Sequence, residues 1–303
     1  MAPEEVIALT RIVRDVGELR RLLGRARQQS RTIALVPTMG ALHDGHLSLV
    51  RLAADGADEV VVSIFVNPAQ FNDQGDLQQY PRSEERDVEL AIGAGATVIF
   101  APDAEQVYPA GFSTSIHIGG VAEQWEGESR GAAHFDGVVL VVCKLFAMVG
   151  PDIAWFGRKD AQQVAVVRRL VADLNLPIDI RTGPTVREPD GLAMSSRNIR
   201  LSAEERARAP VLHRALNLIK NLITSGAADP AGAIARGREL LRTARVEPEY
   251  LAVVDPDTFI ARTTPDDAPA LVIVAARIGP VRLIDNEPVE PRDRTTDNHS
   301  TED

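Results

Sequence analysis

The sequence predicts an α/β protein: a parallel β-sheet covered by helices, followed by a smaller α+β domain. Three observations predict it. The chain has 303 residues, enough for two domains of ordinary size. Over the first 186 residues, short apolar runs rich in Val and Ile alternate with patterns of helical period, as in βαβ units. Beyond that point, helical patterns are followed by strand-like runs, which is typical of an α+β domain.

The first domain, residues 1–186, is expected to alternate strand and helix. The strands are apolar runs at Thr32–Val36, Glu59–Val66, Ala96–Ala101, Ile153–Phe156 and Ile178–Arg181. The helices follow amphipathic patterns near Val16–Gln29, Gly45–Gly56, Ser83–Gly93, Gly137–Val149 and Ala161–Leu174. This alternation predicts a doubly wound, Rossmann-like sheet, which binds ligands beyond the carboxyl ends of its strands.

The second domain, residues 187–287, is expected to begin with a helix near Leu201, because Ser202 and Glu205 have the spacing of a capping box. A further helix covers roughly Pro230–Thr243. Three strands follow at Tyr250–Val254, Ala270–Arg277 and Val281–Ile284. Residues 288–303 contain one apolar side chain among several charges, which predicts a disordered tail.

Composition excludes several classes of protein. With 33 basic and 43 acidic residues, the net charge is −10, which is unfavourable for a nucleic-acid binder. Cys143 is the single cysteine, so it has no partner for an internal disulfide, and a reducing compartment is expected. The strongest apolar stretch, Val138–Val149, is interrupted by Lys144 and is shorter than the roughly 20 residues that a bilayer requires. We therefore predict a cytoplasmic protein that binds neither nucleic acid nor membrane.

The segment PTMGALHDGH, residues 37–46, directly follows the first predicted strand. His43 and His46 lie three residues apart, so one helical turn places them on the same face. A strand end, a loop and a helix start favour anion binding, because the first N–H groups of the helix and its dipole point outward. The pair predicts hydrogen bonds to phosphate oxygens. The alternative is two loop histidines without a function, and a zinc site is disfavoured because further ligands are absent nearby.

Three further segments carry candidate binding groups. FVNPAQF, residues 65–71, places Gln70 after the second strand. FGRKDAQQ, residues 156–163, offers Lys159 to a phosphate and Asp160 to ribose hydroxyls; alternatively, Asp160 and Gln163 form a capping box that starts a helix. DGLAMSSRN, residues 190–198, supplies two hydroxyls and a guanidinium for phosphate. The glycine-rich dinucleotide and P-loop motifs are absent, which disfavours a dehydrogenase or a P-loop ATPase.

Together with HFDGV at residues 134–138, these segments closely resemble the pantothenate synthetase (pantoate–β-alanine ligase) family. This family lies in the nucleotidylyltransferase superfamily that carries the His-x-Gly-His signature. The resemblance extends from the N-terminal helix to about Asn286. It implies ATP-dependent condensation of (R)-pantoate with β-alanine to pantothenate through a pantoyl adenylate, with release of AMP and pyrophosphate. It also implies a homodimer, and Mg²⁺ bound with ATP.

The same resemblance implies roles for individual residues. His46, His43 and Lys159 would act on the reacting phosphates, Gln70 and Gln163 would bind pantoate, and Asp87 would contact Mg²⁺. The ATP site would be lined by Met39, Gly40, Ala41, Leu42, His43, Asp44, Gly45, His46, Gly157, Arg158, Lys159, Asp160, Val186, Met194, Ser195, Ser196 and Arg197.

Three other functions compete with this one. A nucleotidyltransferase of the same fold could join a nucleotide to a phosphate ester, but neutral amides such as Gln70 and Gln163 suit a small hydroxy acid better. A fragment of an aminoacyl-tRNA synthetase is disfavoured by the net charge of −10. A catalytically inactive nucleotide sensor is disfavoured by the intact histidine pair and Lys159.

Overall fold

A computed structural model describes residues 10–71, 74–78, 80–264 and 268–290. The chain divides into two compact units. The first comprises the chain up to Arg187 together with Met194–Ser196, and the second comprises Glu188–Ala193 and the chain from Arg197 onward. The sequence places residues 194–196 in the second domain, whereas here they pack with the first unit.

Within the described residues, the first unit contains a six-stranded sheet in which every recorded pairing is parallel. The order across the sheet is β1-β4-β3-β2-β5-β6. Its strands are β1 (Arg11–Val13), β2 (Ile33–Thr38), β3 (Glu59–Ile64), β4 (Val98–Phe100), β5 (Ile153–Gly157) and β6 (Asp179–Gly183). The predicted fold class is therefore confirmed for this unit.

Both faces of this sheet are buried, because successive side chains of a strand point to opposite faces. On β2, Ile33 and Leu35 pack on one side, and Ala34 and Val36 pack on the other. The helices of this unit are α1 (Val16–Gln28), α2 (Asp44–Ala54), α3 (Gln74–Gln78), α4 (Glu84–Gly93), α5 (Ala104–Val107), α6 (Glu126–Arg130), α7 (Ala132–Val149) and α8 (Ala161–Asp173). Residues of α1, α7 and α8 cover the first side, and residues of α2 and α4 cover the second.

The order of the strands reverses between β2 and β5. From β2 the chain adds β3 and β4 on one side, and β5 and β6 follow on the other. Leu35 of β2 pairs with Ala154 of β5. In open α/β sheets the ligand binds at such a reversal, beyond the carboxyl ends of the two strands. The segments after β2 and β5 are residues 39–46 and 158–163, two of the candidate segments.

Strand β1 and helix α7 differ from prediction, and the short helices α3, α5 and α6 were not predicted. Strand β1 was missed because it has three residues, of which Arg11 and Ile12 are exposed, so it lacks an alternating pattern. Helix α7 begins at Ala132, five residues before the predicted start at Gly137. Gly137 therefore lies inside the helix, at a position that requires glycine because a Cβ there would approach the carbonyl oxygen of Ala69 to 2.2 Å.

The second unit contains a three-stranded antiparallel sheet of β7 (Pro248–Val254), β8 (Ala270–Ile278) and β9 (Val281–Val289). Its helices are α9 (Ala203–Arg208), α10 (Val211–Thr224) and α11 (Pro230–Thr243). The predicted capping box is present: Ser202 accepts from the amide of Glu205, whose side chain accepts from the amide of Ser202. Helix α10 was not predicted. Its buried face, which includes Leu212, Leu216 and Ile219, joins residues of β8 in the core of this unit.

The end of the second unit corrects the predicted boundary of the tail. Strand β9 extends to Val289, whose side chain is buried, so residues 288 and 289 belong to the sheet. Glu290 is exposed and follows the strand, and the remainder of the predicted tail, residues 291–303, lies outside the described residues. Of the helices in the described part of the chain, none is long and apolar enough to cross a bilayer.

Candidate active site

The loop after β2 has a defined conformation because β3 supports it. The hydroxyl of Thr38 donates to the carbonyl oxygen of Ser63 at 2.7 Å, and the amide of Gly40 donates to the Thr38 hydroxyl at 3.2 Å. Gly40 has φ +78°, a conformation that costs a residue without Cβ little. The chain therefore turns sharply at Gly40, between the strand and helix α2.

Asp87 of α4 attaches the same loop to the body of the unit. Its side chain is 1% exposed, and its two oxygens accept the amides of Ala41 and Leu42 at 2.8 and 2.7 Å. Both oxygens are buried and accept backbone N–H groups, so Asp87 anchors the loop, and its expected contact with Mg²⁺ stays a prediction. Across the described residues, no cluster of three or more His, Cys, Asp or Glu side chains is arranged to hold a metal.

His43 and His46 lie at the start of α2 and cap each other's backbone. His43 is the N-cap residue, and its Nδ1 accepts the amide of Gly45 at 3.2 Å. The Nδ1 of His46 accepts the amide of His43 at 3.4 Å, which completes a capping box. The ring centroids are 4.1 Å apart. The spacing of three residues thus brings the two imidazoles together, as predicted.

The capping contacts determine where each imidazole carries its proton. A ring nitrogen that accepts a hydrogen bond has no proton, so both neutral rings carry it on Nε2. Burial is the main cause that lowers the pKa of His43 to about 4, and Lys159 lowers it further. Burial, followed by the charge of His43, lowers the pKa of His46 to about 3. At neutral pH both rings are uncharged Nε2–H donors.

The same contacts correct one part of the anion-site prediction. The backbone N–H groups of the helix start were expected to face a ligand. The amide of Gly45 instead donates to His43 Nδ1, and the amides of His46 and Leu47 donate to the His43 carbonyl at 2.8 and 3.1 Å. The imidazole Nε2–H groups remain as donors for an anion.

Lowering the pH from 7 to 5 is expected to destabilise the fold through these imidazoles. Their pKa is 6.5 in the unfolded chain but about 4 and about 3 in the folded chain, so the unfolded chain binds more protons between these values. Their contribution to the free energy of unfolding is complete above about pH 6.5. Below that pH, each imidazole lowers the free energy of unfolding by up to about 1.4 kcal/mol per pH unit of acidification. Urea unfolding at both pH values measures the loss.

A matched variant isolates this contribution from that of other titrating groups. His43→Asn retains a side-chain acceptor for the helix start but lacks an ionisable ring. We expect the variant to lose less of its unfolding free energy than the parent between pH 7 and pH 5. Equal losses in the two proteins would contradict the lowered pKa of His43.

Lys159 and Asp160 follow β5 and lie beside the histidine pair. Gly157 ends the strand, and residues 158–160 form one 3₁₀ turn. Lys159 Nζ is 3.5 Å from Asp160 Oδ1, and both charges act on the pKa of His43 and of His46. Asp160 is the N-cap residue of α8, but its side chain makes no capping hydrogen bond. The alternative of a capping box with Gln163 is therefore wrong.

Gln70 lies in a 3₁₀ turn after β3, next to the loop that carries the histidines. Its Nε2 donates to Met39 Sδ at 3.0 Å, and its backbone carbonyl accepts from His134 Nδ1 at 2.9 Å. Asn67, which is 1% exposed, donates to Gln70 Oε1 at 3.1 Å. Asn67 was not predicted to have a role, although its position at a strand end before Pro68 was a usable signal.

The two glutamines at the start of α8 have different environments. Gln162 is 4% exposed; it accepts the amide of Glu126 and donates to the carbonyls of Val121 and Gln124, all within 3.0 Å. Its amide therefore holds residues 121–126 to the helix. Gln163 is half-buried, and its side chain remains the predicted substrate-binding group of the two.

The remaining predicted residues lie further along the chain. The amide of Met194 donates to the carbonyl of Val186 at 3.0 Å, so these two segments run side by side in the first unit. The hydroxyl of Ser196 is 3.4 Å from that of Tyr80, which is a contact that the sequence did not indicate. Ser195 lies in the same segment, whereas Arg197 begins the second unit's main segment.

The family model described as pantoate-beta-alanine ligase matches residues 11–288. The chain belongs to this family. It is therefore a ligase of the nucleotidylyltransferase superfamily, and the activity of its family is ATP-dependent formation of pantothenate. The fold and family that the sequence predicts are confirmed.

Curated relatives and solved structures agree with this membership. The chain is 51% identical over 283 residues to a pantothenate synthetase of Rhizorhabdus wittichii, covering 92% of this chain and 99% of the relative. It is 50% identical to pantothenate synthetase 1 of Bradyrhizobium diazoefficiens, covering 91% and 97%. The crystal structure of pantothenate synthetase from Thermus thermophilus superimposes with a TM-score of 0.88 at 45% identity, covering 93% and 100%.

A second solved structure carries ligands. The pantoate-beta-alanine ligase of Francisella tularensis, described as complexed with beta-gamma ATP and beta-alanine, superimposes with a TM-score of 0.77 at 31% identity. It covers 92% of this chain and 97% of its own.

Proposed function

We propose that this chain condenses (R)-pantoate with β-alanine to pantothenate in two steps, through a pantoyl adenylate. The observation that carries the proposal is the pair of neutral Nε2–H donors on His43 and His46, with the cation of Lys159 beside them. Such an arrangement suits a phosphate on which negative charge builds up, because fixed donors need no reorganisation during the reaction.

The chemistry follows from the poor reactivity of a carboxylate. In the first step a pantoate carboxylate oxygen bonds to the α-phosphorus of ATP, and the bond from phosphorus to pyrophosphate breaks. In the second step the amine of β-alanine bonds to the acyl carbon, AMP leaves with the anhydride oxygen, and the amine loses a proton. We assign stabilisation of the phosphate charge to His46 and His43. With a pKa of about 3, His46 acts as a hydrogen-bond donor rather than as an imidazolium acid.

We assign the ATP site to the segments on both sides of the strand reversal. The loop Met39–His46 lies on one side and Gly157–Asp160 on the other, as the switch between β2 and β5 requires. Lys159 would contact phosphate oxygens and Asp160 the ribose. Val186, Met194, Ser195 and Ser196 complete the proposed site within the first unit. The ATP and β-alanine of the Francisella tularensis complex support these two ligands.

We assign pantoate to Gln70 and Gln163, whose neutral amides match a small hydroxy acid. Mg²⁺ is proposed to arrive with ATP. The described residues offer no cluster of three metal-ligating side chains, and Asp87 is already bound to backbone amides. This agrees with the preference of Mg²⁺ for substrate phosphates and water. When bound, the ion would neutralise phosphate charge, and the protein would hold it only through the nucleotide.

We further propose a homodimer in the cytoplasm. A dimer follows from the family resemblance and from the prevalence of two-fold symmetry among oligomers, and a single cysteine suits a reducing compartment. Light scattering is expected to give twice the chain mass of 32.8 kDa. A mass of one chain at micromolar concentration would contradict the dimer.

Pyrophosphate release without β-alanine tests the proposed function. Pantoate, ATP and Mg²⁺ alone are expected to give a burst of about one equivalent per active site, because the adenylate stays bound. Gln163→Ala is expected to weaken pantoate binding by roughly 0.5–1.5 kcal/mol and to leave ATP affinity unchanged. If pyrophosphate appears only after β-alanine is added, the two-step order is wrong. A phosphate ester as acceptor in place of pantoate, or no turnover at all, would favour the competing functions.

A further inference from the structure

Asn67 is a buried amide whose orientation is determined by two backbone groups. Its Oδ1 accepts the amide of Ala69 at 3.2 Å, and its Nδ2 donates to the carbonyl of Gly137 at 3.1 Å. A backbone N–H only donates and a carbonyl only accepts. Reversing the Asn67 amide would set donor against donor and acceptor against acceptor, so one orientation is permitted.

This orientation determines the direction of the hydrogen bond from Tyr108. Its hydroxyl lies 2.8 Å from Asn67 Oδ1, an oxygen without a proton, so the hydroxyl must donate. Burial raises the pKa of Tyr108 to about 12, and the hydroxyl keeps that proton throughout the physiological range. The Tyr108 ring packs against Phe65 and Phe112, with centroids 6.3 and 5.2 Å away.

The orientation of the Asn67 amide in turn determines the orientation of the Gln70 amide. Asn67 Nδ2 donates to Gln70 Oε1, so the amide oxygen of Gln70 faces Asn67 and its Nε2 faces Met39 Sδ. The opposite orientation of Gln70 would set its NH₂ against that of Asn67. One N–H of Gln70 points to the thioether, and no described residue accepts the second N–H.

We propose that Tyr108 is a positioning residue: its hydroxyl adds a further hydrogen bond to the Asn67 amide that the backbone has oriented, and so holds Asn67 in the place from which it makes Gln70 present an N–H donor to the substrate. This inference rests on the proposed function and specifies the group of pantoate that Gln70 binds. That group is an acceptor oxygen, such as an oxygen of the pantoate carboxylate. Tyr108 does not touch substrate and acts only on the orientation of Gln70.

A double-mutant cycle on the full-length chain tests the coupling. Tyr108→Phe, which removes only the hydroxyl, is expected to raise the KM for pantoate roughly 2- to 12-fold, as for one neutral hydrogen bond. The KM for ATP should not change. In a Gln70→Ala background the same change should have no further effect on pantoate, because coupled residues are not additive. Tyr250→Phe, in the second unit, is the matched control without an effect.

A second variant tests whether Gln70 offers a donor to pantoate, even if Tyr108→Phe fails to fold. Gln70→Glu has nearly the same shape but offers only acceptors, and it is expected to lose pantoate binding at least as severely as Gln70→Ala. Additive effects of Tyr108→Phe and Gln70→Ala, or pantoate binding by Gln70→Glu equal to that of the parent, would overturn the inference alone. Absence of pantoate-dependent pyrophosphate release from the parent would overturn the proposed function, and this inference with it.

Discussion

Replacing His46 with alanine is expected to slow pantoyl-adenylate formation by about 10²–10³-fold, the usual cost of removing one fixed donor to a developing negative charge. The His46 Nε2–H is oriented because Nδ1 accepts the amide of His43, and the ring lies 4.1 Å from that of His43. Rapid-quench measurement of pyrophosphate release from pantoate and ATP gives the rate. Turnover like that of the parent in a folded His46→Ala protein would contradict the assignment.

His46→Gln separates the catalytic effect from loss of the helix cap. Glutamine at the third helical position can accept the N-cap amide, as in an ordinary capping box, and its NH₂ offers a donor in place of Nε2–H. We expect the unfolding free energy of His46→Gln to stay near that of the parent, and its rate to lie above that of His46→Ala. Equally slow rates in the two variants would show that the imidazole itself is required.

Asp87→Asn is expected to lower the free energy of unfolding by about 1.5–3 kcal/mol, the range for a hydrogen bond to a charged group. The carboxylate is 1% exposed and accepts the amides of Ala41 and Leu42. The isosteric amide keeps one acceptor but sets an NH₂ against the second backbone N–H. Urea unfolding measures the loss, and Asp44→Asn, at an exposed position of the neighbouring helix, is the control for removing a charge nearby.

The dependence of the Asp87→Asn rate on Mg²⁺ distinguishes an anchor of the loop from a metal ligand. If Asp87 only holds the loop, the variant should weaken ATP binding while the Mg²⁺ concentration for half-maximal rate stays as in the parent. A large increase in that concentration, with unchanged stability, would restore Asp87 as a ligand of Mg²⁺.

Features that depend on neighbouring residues could be predicted from the sequence. The strands β2, β3 and β5 follow from continuous apolar runs, because a parallel sheet buries both faces. The meeting of His43 with His46 follows from their spacing of three residues on a helix. The capping box of Ser202 and Glu205 follows from spacing as well. In each case the partners lie within one turn or one strand, so local geometry decides the outcome.

Features that depend on distant partners required the tertiary structure. Asp87 binds amides some 45 positions earlier in the chain, and Asn67 bonds to Gly137 and Tyr108; their side chains alone suggest a metal ligand and a turn residue. Gln162 and Gln163 are identical in sequence terms, yet α8 buries the first against residues 121–126 and leaves the second half-exposed. The sequence by itself determined the parallel sheet apart from its edge strand β1, together with the motifs and the family. Packing decided which polar atoms remain for a ligand, because a buried donor or acceptor must find a partner wherever the folded chain brings one.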